Sequence, residues 1–359
     1  MTMKFYPASE NVRIGGRTLT EGNVLYMDYT CTFIEFSFTG RKALARIISD
    51  LCPSEDMFRA YMGIFVNGEF ADRIKIDSAE DVYTLYESDD ESTVTIRLMK
   101  LSEAAFAKTG VKEIEIDGKL LPPPLPCSQR RIEFVGDSIT CGYGIGAKGG
   151  EEGFTTATEE PLRVYAYKSA LRCGAEYQFV SWSGMGVVTA YVDESIQEPD
   201  DKWLFKDIYP YTDSGLENTL GREGHENHTI WDNKRFDPQI VVFAEGTNDH
   251  SWTRKIPERC ERYEKALAET VGIIRKANPD AYIILTYGVM DDPLKDSIAS
   301  VTSRLNEKGD DKVIFIPLTP QDAANDGVGA DWHPSAATHE KMADVLSAEF
   351  EKIFKKLGI

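Results

Sequence analysis

The fold of the second part of this chain is decided by a short apolar run and the turn that ends it, Phe134-Val135-Gly136-Asp137-Ser138. Similar runs alternate with helical patterns, and they predict strands at 131–135, 177–182, 240–244, 282–287 and 313–317 and helices notably at 258–277 and 336–357. This alternation predicts a parallel sheet with helices on both faces. Ligands of such sheets bind at the carboxyl ends of the strands, which is where Ser138 lies.

The first third of the chain predicts a different architecture, an all-β sandwich in residues 1–120. Its apolar and polar residues alternate in short segments with turn residues between them. Asn67-Gly68 between two such segments is a strong hairpin signal. Strands are predicted at 31–40, 62–66, 69–71, 81–86, 93–98 and 111–118. The proline-rich stretch at 121–130 predicts a linker, and residues 131–359 form the second domain.

Composition and charge indicate a globular protein and exclude several classes of partner. The net charge of -19 and the pI near 4.8 would repel nucleic acids and anionic membranes. The first ten residues lack an apolar signal region, and no run of 18 apolar residues occurs. Irregularly spaced cysteines favour free, buried thiols, so we expect a cytoplasmic protein. These cysteines are Cys31, Cys52, Cys127, Cys141, Cys173 and Cys260.

Polar residues at predicted strand ends and loops carry the functional groups of acyl transfer. Ser138 is a nucleophile, and His333, on a loop just before a helical pattern, is a base that can take its proton. Asn248 offers a side-chain donor to a developing oxyanion. The N–H of Gly184, after the strand at 177–182, can approach a substrate oxygen because no side chain intervenes.

Each of these residues also has a purely structural interpretation. Serine is a preferred residue at a helix N-terminus, so Ser138 fits a helix cap. Gly184 fits an ordinary turn, and Asn248 fits a helix cap or an Asx-turn. Only the combination of the segments favours catalysis.

No metal site and no cofactor are predicted. His225 and His228 have H-x-x-H spacing, but no cysteine or carboxylate follows at zinc-like intervals. The glycines at 144, 146 and 149 match a dinucleotide motif, yet an acidic turn follows them instead of a helix.

In this order, the segments around Ser138, Gly184, Asn248 and His333 resemble the SGNH/GDSL hydrolase family, whose four defining letters they supply. The resemblance implies a flavodoxin-type three-layer α/β/α fold. It also implies a serine nucleophile, a histidine base and an oxyanion hole formed by the amides of Ser138 and Gly184 and the side chain of Asn248.

The narrower resemblance is to family-two carbohydrate esterases, which remove acetyl groups from plant polysaccharides such as xylan and glucomannan. It lies in the β domain of about 120 residues, in residues 11–18 near its start, and in residues 329–335 around His333. It implies a jelly-roll-like sandwich in front of the catalytic domain.

The residue that orients the histidine departs from the common family pattern. Many SGNH hydrolases carry an aspartate three residues before the histidine, where this chain has Ala330. We expect Asp331 to orient His333, with its side chain pointing away and its backbone carbonyl accepting from Nδ1. The resemblance also allows a Ser–His dyad of this kind, and a distant carboxylate at Asp310 or Asp311 is the alternative.

Aromatic residues are candidates for sugar binding. Trp332, beside the base, resembles an aromatic residue that stacks on sugar in this family, with core packing as the alternative. Tyr191 and Trp252 are further substrate-binding candidates, again with packing as the alternative.

The function expected is a serine esterase that removes O-acetyl groups from a carbohydrate through an acetyl-serine intermediate. One alternative is a short-chain lipid or thioester hydrolase on the same scaffold. Another is a carbohydrate-binding protein with weak or no catalysis. The sugar and the association of the chain into a homo-oligomer stay open.

Overall fold

The computed structural model describes residues 2–50 and 56–359. Within them, one antiparallel sheet lies in the first 120 residues and one parallel sheet after residue 130. The antiparallel strands are β1 (Thr2–Phe5), β2 (Arg13–Gly15), β3 (Leu19–Glu21), β4 (Val24–Tyr26), β5 (Phe33–Ser49), β6 (Ala60–Val66), β7 (Glu69–Ile76), β8 (Glu80–Lys100) and β9 (Thr109–Leu120). The parallel strands are β10 (Arg131–Gly136), β11 (Glu176–Ser181), β12 (Ile240–Ala244), β13 (Tyr282–Tyr287) and β14 (Val313–Pro317).

Helices accompany the parallel strands. The α-helices are α1 (Ser138–Cys141), α2 (Tyr165–Arg172), α3 (Phe205–Ile208), α4 (Ser214–Thr219), α5 (Thr247–Thr253), α6 (Pro257–Ala277), α7 (Lys295–Glu307), α8 (Ala323–Asp326) and α9 (Ala336–Leu357). Short 3₁₀ turns lie at Asp56–Phe58, Thr156–Thr158, Pro161–Arg163, His225–Asn227, Asn233–Arg235 and Ala330–Trp332.

The antiparallel sheet pairs in the order β3-β4-β9-β5-β8-β6-β7, with β1 on β9 and β2 on β5. A bulge after Gly40 interrupts the pairing of β5. Before it, Phe36 and Phe38 are buried, and after it Ala43 and Ala45 are buried. The bulge shifts the side-chain alternation by one residue, so both halves of the strand contribute to one core.

The predicted hairpin is present, and one pair of predicted strands is merged. Asn67 and Gly68 both have positive φ, as a two-residue hairpin turn requires, and they join β6 to β7. The separate strands predicted at 81–86 and 93–98 are one strand, β8. The polar residues between them do not end the strand because Glu87 and Ser92 still pair with β5.

The second sheet is parallel in the order β11-β10-β12-β13-β14, which is the flavodoxin-type order. Alternate residues of each strand enter two separate cores, because successive side chains point to opposite faces. Ile132 and Phe134 of β10 pack on the side of α2 and α9, and Val135 packs on the side of α6 and α7. The predicted three-layer α/β/α fold behind an all-β domain is therefore confirmed.

The two domains share a buried interface, although residues 121–130 between β9 and β10 form neither helix nor strand. The buried Arg17 of the β domain donates to the carbonyls of Tyr209 and Tyr211 at 2.6 and 2.7 Å, and to Glu133 of β10 at 3.0 Å. Breaking a buried ion pair leaves an uncompensated charge, so this contact holds the domains in one arrangement.

The sequence predicts cysteines that are free and buried. The described cysteines are all free, and Cys31, Cys141 and Cys173 are buried as expected, whereas Cys127 is exposed. Cys52 lies outside the described residues.

Among the residues that the structure describes, no helix has the length and apolar character needed to cross a bilayer.

Candidate active site

Ser138 lies at the carboxyl end of β10, on a tight turn. Gly136 is needed there, because a Cβ at this position would approach Thr140 Oγ1 to 2.1 Å. The cap of the short helix α1 is Asp137, whose side chain accepts from the Ile139 amide at 2.9 Å. Ser138 is the first residue of that helix, so its side chain is not the cap. Its own N–H belongs to the helix end, where amides have no partner within the helix.

His333 reaches Ser138 across 195 positions of sequence. Its Nε2 lies 2.9 Å from Ser138 Oγ, and its Nδ1 lies 3.2 Å from the carbonyl of Ala330. Asp331 and Trp332, which lie between Ala330 and His333 in the sequence, both have left-handed φ, +47° and +62°. An Nδ1–H donated to that carbonyl leaves Nε2 free to accept the serine proton, which is the tautomer of a general base.

As expected, the side chain of Asp331 points away from the imidazole. Its Oδ2 accepts from the hydroxyl of Tyr143 at 2.8 Å and from the amide of Phe154 at 3.2 Å. The carbonyl that accepts from His333 is that of Ala330, one residue earlier than expected. The left-handed turn at Asp331 explains this shift, because it closes a 3₁₀ turn in which residue 330 faces residue 333.

The distant carboxylates do not complete a triad. Asp310 forms a bidentate ion pair with Arg275, at 2.9 Å for both contacts. Asp310 and Asp311 both precede β14, and therefore lie at the amino end of the parallel sheet. Ser138 and His333 lie at the opposite edge.

Tyr143 is a site residue that sequence reasoning missed. Its ring stacks on the imidazole of His333, with centroids 4.1 Å apart, and on Phe154 at 3.8 Å. The hydrogen bond to Asp331 fixes the phenol, so Asp331 acts on His333 through this ring. No motif marks Tyr143, because its stacking partner is far along the chain.

The candidate oxyanion donors gather beside Ser138. Gly184 has a φ of +77°, and in the described part of the chain no atom beyond its two sequence neighbours lies within 4 Å of the Cβ position that it lacks. Asn248 is buried, and its Nδ2 donates to the carbonyl of Met185 at 2.8 Å and contacts Asp137 Oδ2 at 3.2 Å. The first bond holds the amide rigidly. The second is the longer one, and a substrate oxygen can replace it.

Asp249 is a second residue that the sequence did not reveal. Its buried carboxylate accepts from the amides of Val187, Val188 and Thr189. Burial raises the pKa of Asp249 to about 6, while these amides act in the opposite direction. The residue is adjacent to Asn248, but its partners lie about 60 positions earlier, so only the folded chain shows its role.

Of the aromatic candidates, the structure places Trp332 and Tyr191 at the cleft and Trp252 in the core. Trp332 and Tyr191 are 53% and 61% exposed, and both line the cleft. The prediction that Trp252 binds substrate is wrong. This side chain is 2% exposed, and its indole N–H donates to the carbonyl of Gln197 at 2.7 Å.

Ser138, His333 and the candidate oxyanion donors Gly184 and Asn248 line one cleft of about 1100 Å³. Its volume exceeds what an acetyl group needs, so a larger substrate fits. Its lining comprises Ser138, Tyr143, Ser183, Gly184, Tyr191, Val192, Glu194, Thr247, Asn248, His250, Ser251, Arg254, Met290, Asp291, Gln321, Asp331, Trp332 and His333.

The H-x-x-H pair lies outside this cleft. His228 Nε2 contacts Asn218 Oδ1 at 3.0 Å, and His225 Nε2 lies 3.3 Å from Asp207. The two rings are nearly perpendicular, at 88°. Each histidine thus has a protein partner of its own.

This arrangement defines the class of protein: a serine hydrolase whose Ser–His pair and candidate oxyanion donors lie at the carboxyl edge of a parallel sheet. A family model described as carbohydrate esterase 2 N-terminal matches residues 14–124. The model described as the GDSL-like lipase/acylhydrolase family matches residues 134–341, which is more than half of the chain. The chain belongs to this family, and its resemblance to family-two carbohydrate esterases is confirmed.

Several characterised proteins are similar to this chain. The cellulase/esterase CelE of Acetivibrio thermocellus is 31% identical over 331 residues, which are 90% of this chain but 37% of the length of that protein. An acetylxylan esterase / glucomannan deacetylase of Cellvibrio japonicus is 25% identical over 82% of this chain and 76% of its own length. A family two carbohydrate esterase from Clostridium thermocellum, solved in complex with cellohexaose, is 29% identical with a TM-score of 0.82, covering 97% of this chain and 99% of that one.

The first prediction concerns Asp331. Because its carboxylate does not contact the imidazole, Asp331→Asn should lower kcat/KM for an aryl acetate by less than about tenfold, whereas loss of a triad aspartate costs roughly 10⁴. His333→Ala is the control and should show the full loss. A decrease of several thousandfold in Asp331→Asn would contradict the geometry described above.

The second prediction concerns pH. Burial lowers the pKa of His333 to about 4, against the opposing effect of the Ala330 and Asp331 backbone. The base acts in its neutral form, so kcat/KM should rise as the pH increases through about 4 and should show no inflection near 6.5. The pH dependence of aryl acetate hydrolysis measures this, with circular dichroism at each pH as the control for folding. An inflection near 6.5 would show that the imidazole is solvated.

Proposed function

We propose that this protein is a serine esterase that removes O-acetyl groups from plant polysaccharides or oligosaccharides of the xylan or glucomannan type. The hydrogen bond of 2.9 Å between Ser138 Oγ and His333 Nε2, in a cleft with exposed aromatic side chains, carries the proposal. The chain spans only 37% of the length of CelE, so the activity of that larger protein is not transferred as a whole.

The reaction follows from the groups around Ser138. Its hydroxyl attacks the acetyl carbonyl carbon while His333 accepts the proton at Nε2. The tetrahedral oxyanion accepts from the amides of Ser138 and Gly184 and from Asn248. Collapse breaks the ester bond, and the imidazolium returns the proton to the departing sugar oxygen. Water, deprotonated by His333, then attacks the carbonyl carbon of the acetyl-serine. The bond to Ser138 Oγ breaks, the imidazolium returns its proton to Oγ, and acetic acid leaves and ionises to acetate.

Similar proteins support the choice of substrate. The relatives from Cellvibrio japonicus are named acetylxylan esterase / glucomannan deacetylase, and the Clostridium thermocellum structure contains cellohexaose. In this chain, Trp332 and Tyr191 present exposed rings beside Ser138. Aromatic faces in an open cleft suit the apolar faces of sugar rings.

Further features of the proposal rest on composition. The net charge of -19 supports a substrate that is not a polyanion, and it disfavours nucleic acid and anionic membranes as partners. The free thiols support a reducing compartment such as the cytoplasm. The homo-oligomer stays a prediction.

The third prediction tests the function directly. The protein should release acetate from acetylated xylo- or glucomanno-oligosaccharides, and Ser138→Ala should abolish this release because no nucleophile remains. Acetate is measured across a panel that also contains alkyl esters of increasing acyl length and a thioester. Preference for long acyl chains or the thioester would favour a lipid or thioester hydrolase. Binding of oligosaccharide without hydrolysis of any ester would indicate a binding protein.

The fourth prediction concerns the sugar contact. Trp332→Ala should raise KM for an acetylated oligosaccharide about tenfold, because an apolar contact of roughly 1.5 kcal/mol is lost. KM for a small aryl acetate should stay unchanged, since such a substrate does not extend along the cleft. Ile230→Ala, at an exposed apolar side chain outside the cleft, is the matched control. Equal changes for both substrates would place Trp332 in general packing instead.

A further inference from the structure

A buried carboxylate from the β domain contacts the loop that carries Gly184. Glu103, which is fully buried, follows β8 and accepts from the amide of Ser183 at 2.8 Å through Oε2. The hydroxyl of Ser183 donates to the other carboxylate oxygen, Oε1. Ser183 immediately precedes Gly184, so a side chain from one domain fixes the backbone next to a candidate oxyanion donor of the other.

A second contact, also from the segment that follows β8, helps to hold the loop that carries Gly184. The ammonium group of Lys108 lies 5.0 Å from the ring centre of Trp182, and it is held in place by a hydrogen bond to the carbonyl of Ala104. Trp182 and Ser183, the two residues before Gly184, are therefore both contacted by residues that follow β8. The interaction of a desolvated cation with an indole face is favourable.

The other side of the loop is anchored from within its own domain. Asn248 donates to the carbonyl of Met185, and Asp249 accepts from the amides of residues 187–189. Among residues 2–50 and 56–359, no atom other than those of residues 183 and 185 packs against the Cβ position that Gly184 lacks. The N–H of Tyr191 also donates to the carbonyl of Gly184 at 2.8 Å. The direction of the Gly184 N–H is therefore held by Glu103 on one side and by Tyr191 and the Asn248–Asp249 pair on the other.

The surroundings of Glu103 explain why it serves as an acceptor. Glu103, Cys141 and Glu159 are all buried, and their ligand-type atoms lie within 4.8 Å of one another. Burial raises the pKa of both Glu103 and Glu159. The donors on Ser183 and Cys141 counteract this rise at Glu103, and the amide of Glu103 counteracts it at Glu159. Both oxygens of Glu103 accept from Ser183, so the carboxylate is aligned with the loop that carries Gly184.

We propose that Glu103 is a positioning residue of the esterase: it fixes Ser183 so that the N–H of Gly184 points at the oxyanion, and the β domain thereby completes the oxyanion hole. This inference rests on the proposed function. It assigns the β domain a part in turnover that does not depend on binding carbohydrate.

The test compares turnover per active site in the full chain. In Glu103→Ala, kcat should fall about 10- to 100-fold with KM nearly unchanged, because misdirecting one oxyanion donor costs up to the roughly 10²–10³ of its removal. The concentration of active sites is obtained by titration with an organophosphonate that labels Ser138. Ser183→Ala keeps the amide contact and should lose less, and the double variant should lose no more than Glu103→Ala because both changes break the same contact.

The matched control is Glu35→Gln. Glu35 lies at the same domain interface but near the amino end of β11, whereas Glu103 binds Ser183 just after the carboxyl end of that strand. Glu35 binds Arg13 at 2.8 Å and Arg97 at 2.7 Å, and Arg13 also pairs with Glu176, the first residue of β11. This variant should lower Tm, while kcat per titrated site stays within about twofold of the parent.

Each outcome decides the inference. The inference is overturned if Glu103→Ala loses activity only because fewer sites can be titrated, with kcat per site unchanged. It is also overturned if Glu35→Gln lowers kcat per site as much as Glu103→Ala does. Should Glu103→Ala not fold, a kcat for Ser183→Ala equal to that of the parent overturns it, and a severalfold decrease with unchanged KM supports it. The rate of phosphonate labelling depends on the same oxyanion donors but on no acetyl substrate. Failure of the parent to release acetate would therefore count against the proposed function alone, because the ratio of labelling rates still tests Glu103.

Discussion

The hydrogen bond between Ser138 and His333 depends on a property of parallel sheets: the carboxyl ends of the strands meet at one edge. β10 lies inside the sheet, between β11 and β12, so the turn after it is surrounded by the loops of its neighbours. His333 comes to the same edge from the segment between α8 and α9. Residues 195 positions apart thereby share a hydrogen bond of 2.9 Å, and every step proposed for the reaction begins there.

The orientation of the base does not require a carboxylate at residue 330. Ala330 lacks the carboxylate found at this position in many relatives, but its backbone carbonyl accepts from Nδ1 of His333. A left-handed residue at Asp331 makes this possible, and the Asp331 side chain holds Tyr143 against the imidazole. A neutral carbonyl stabilises an imidazolium less than a carboxylate does, which is consistent with the low pKa of His333.

Buried charged side chains of the β domain contact the second domain, including the loop that carries Gly184. Arg17 and Glu133 hold the β domain against the sheet, whereas Glu103 reaches the loop of Gly184. Buried ions contribute little net stability compared with apolar packing, but they are costly to leave unpaired, so they favour one arrangement over others. A site that needs donors placed to within a fraction of an ångström benefits from this restriction. The β domain thus contacts a loop of the cleft through Glu103, although the residues that line the cleft belong to the second domain.

The sequence by itself determined the two-domain order, the α/β/α layers and the Ser138, Gly184, Asn248 and His333 set, because hydrophobic periodicity and strand-end motifs are local properties. Its errors are the division of β8 into two strands, the substrate-binding role of Trp252, and the carbonyl assigned to His333, which is that of Ala330 instead of Asp331. They concern pairing, packing and backbone geometry that no local pattern encodes. The contacts of Tyr143, Asp249 and Glu103, and the burial of Trp252, were decided only by the tertiary structure. They join residues from tens to nearly two hundred positions apart, and such contacts depend on how the layers pack, which periodicity does not specify.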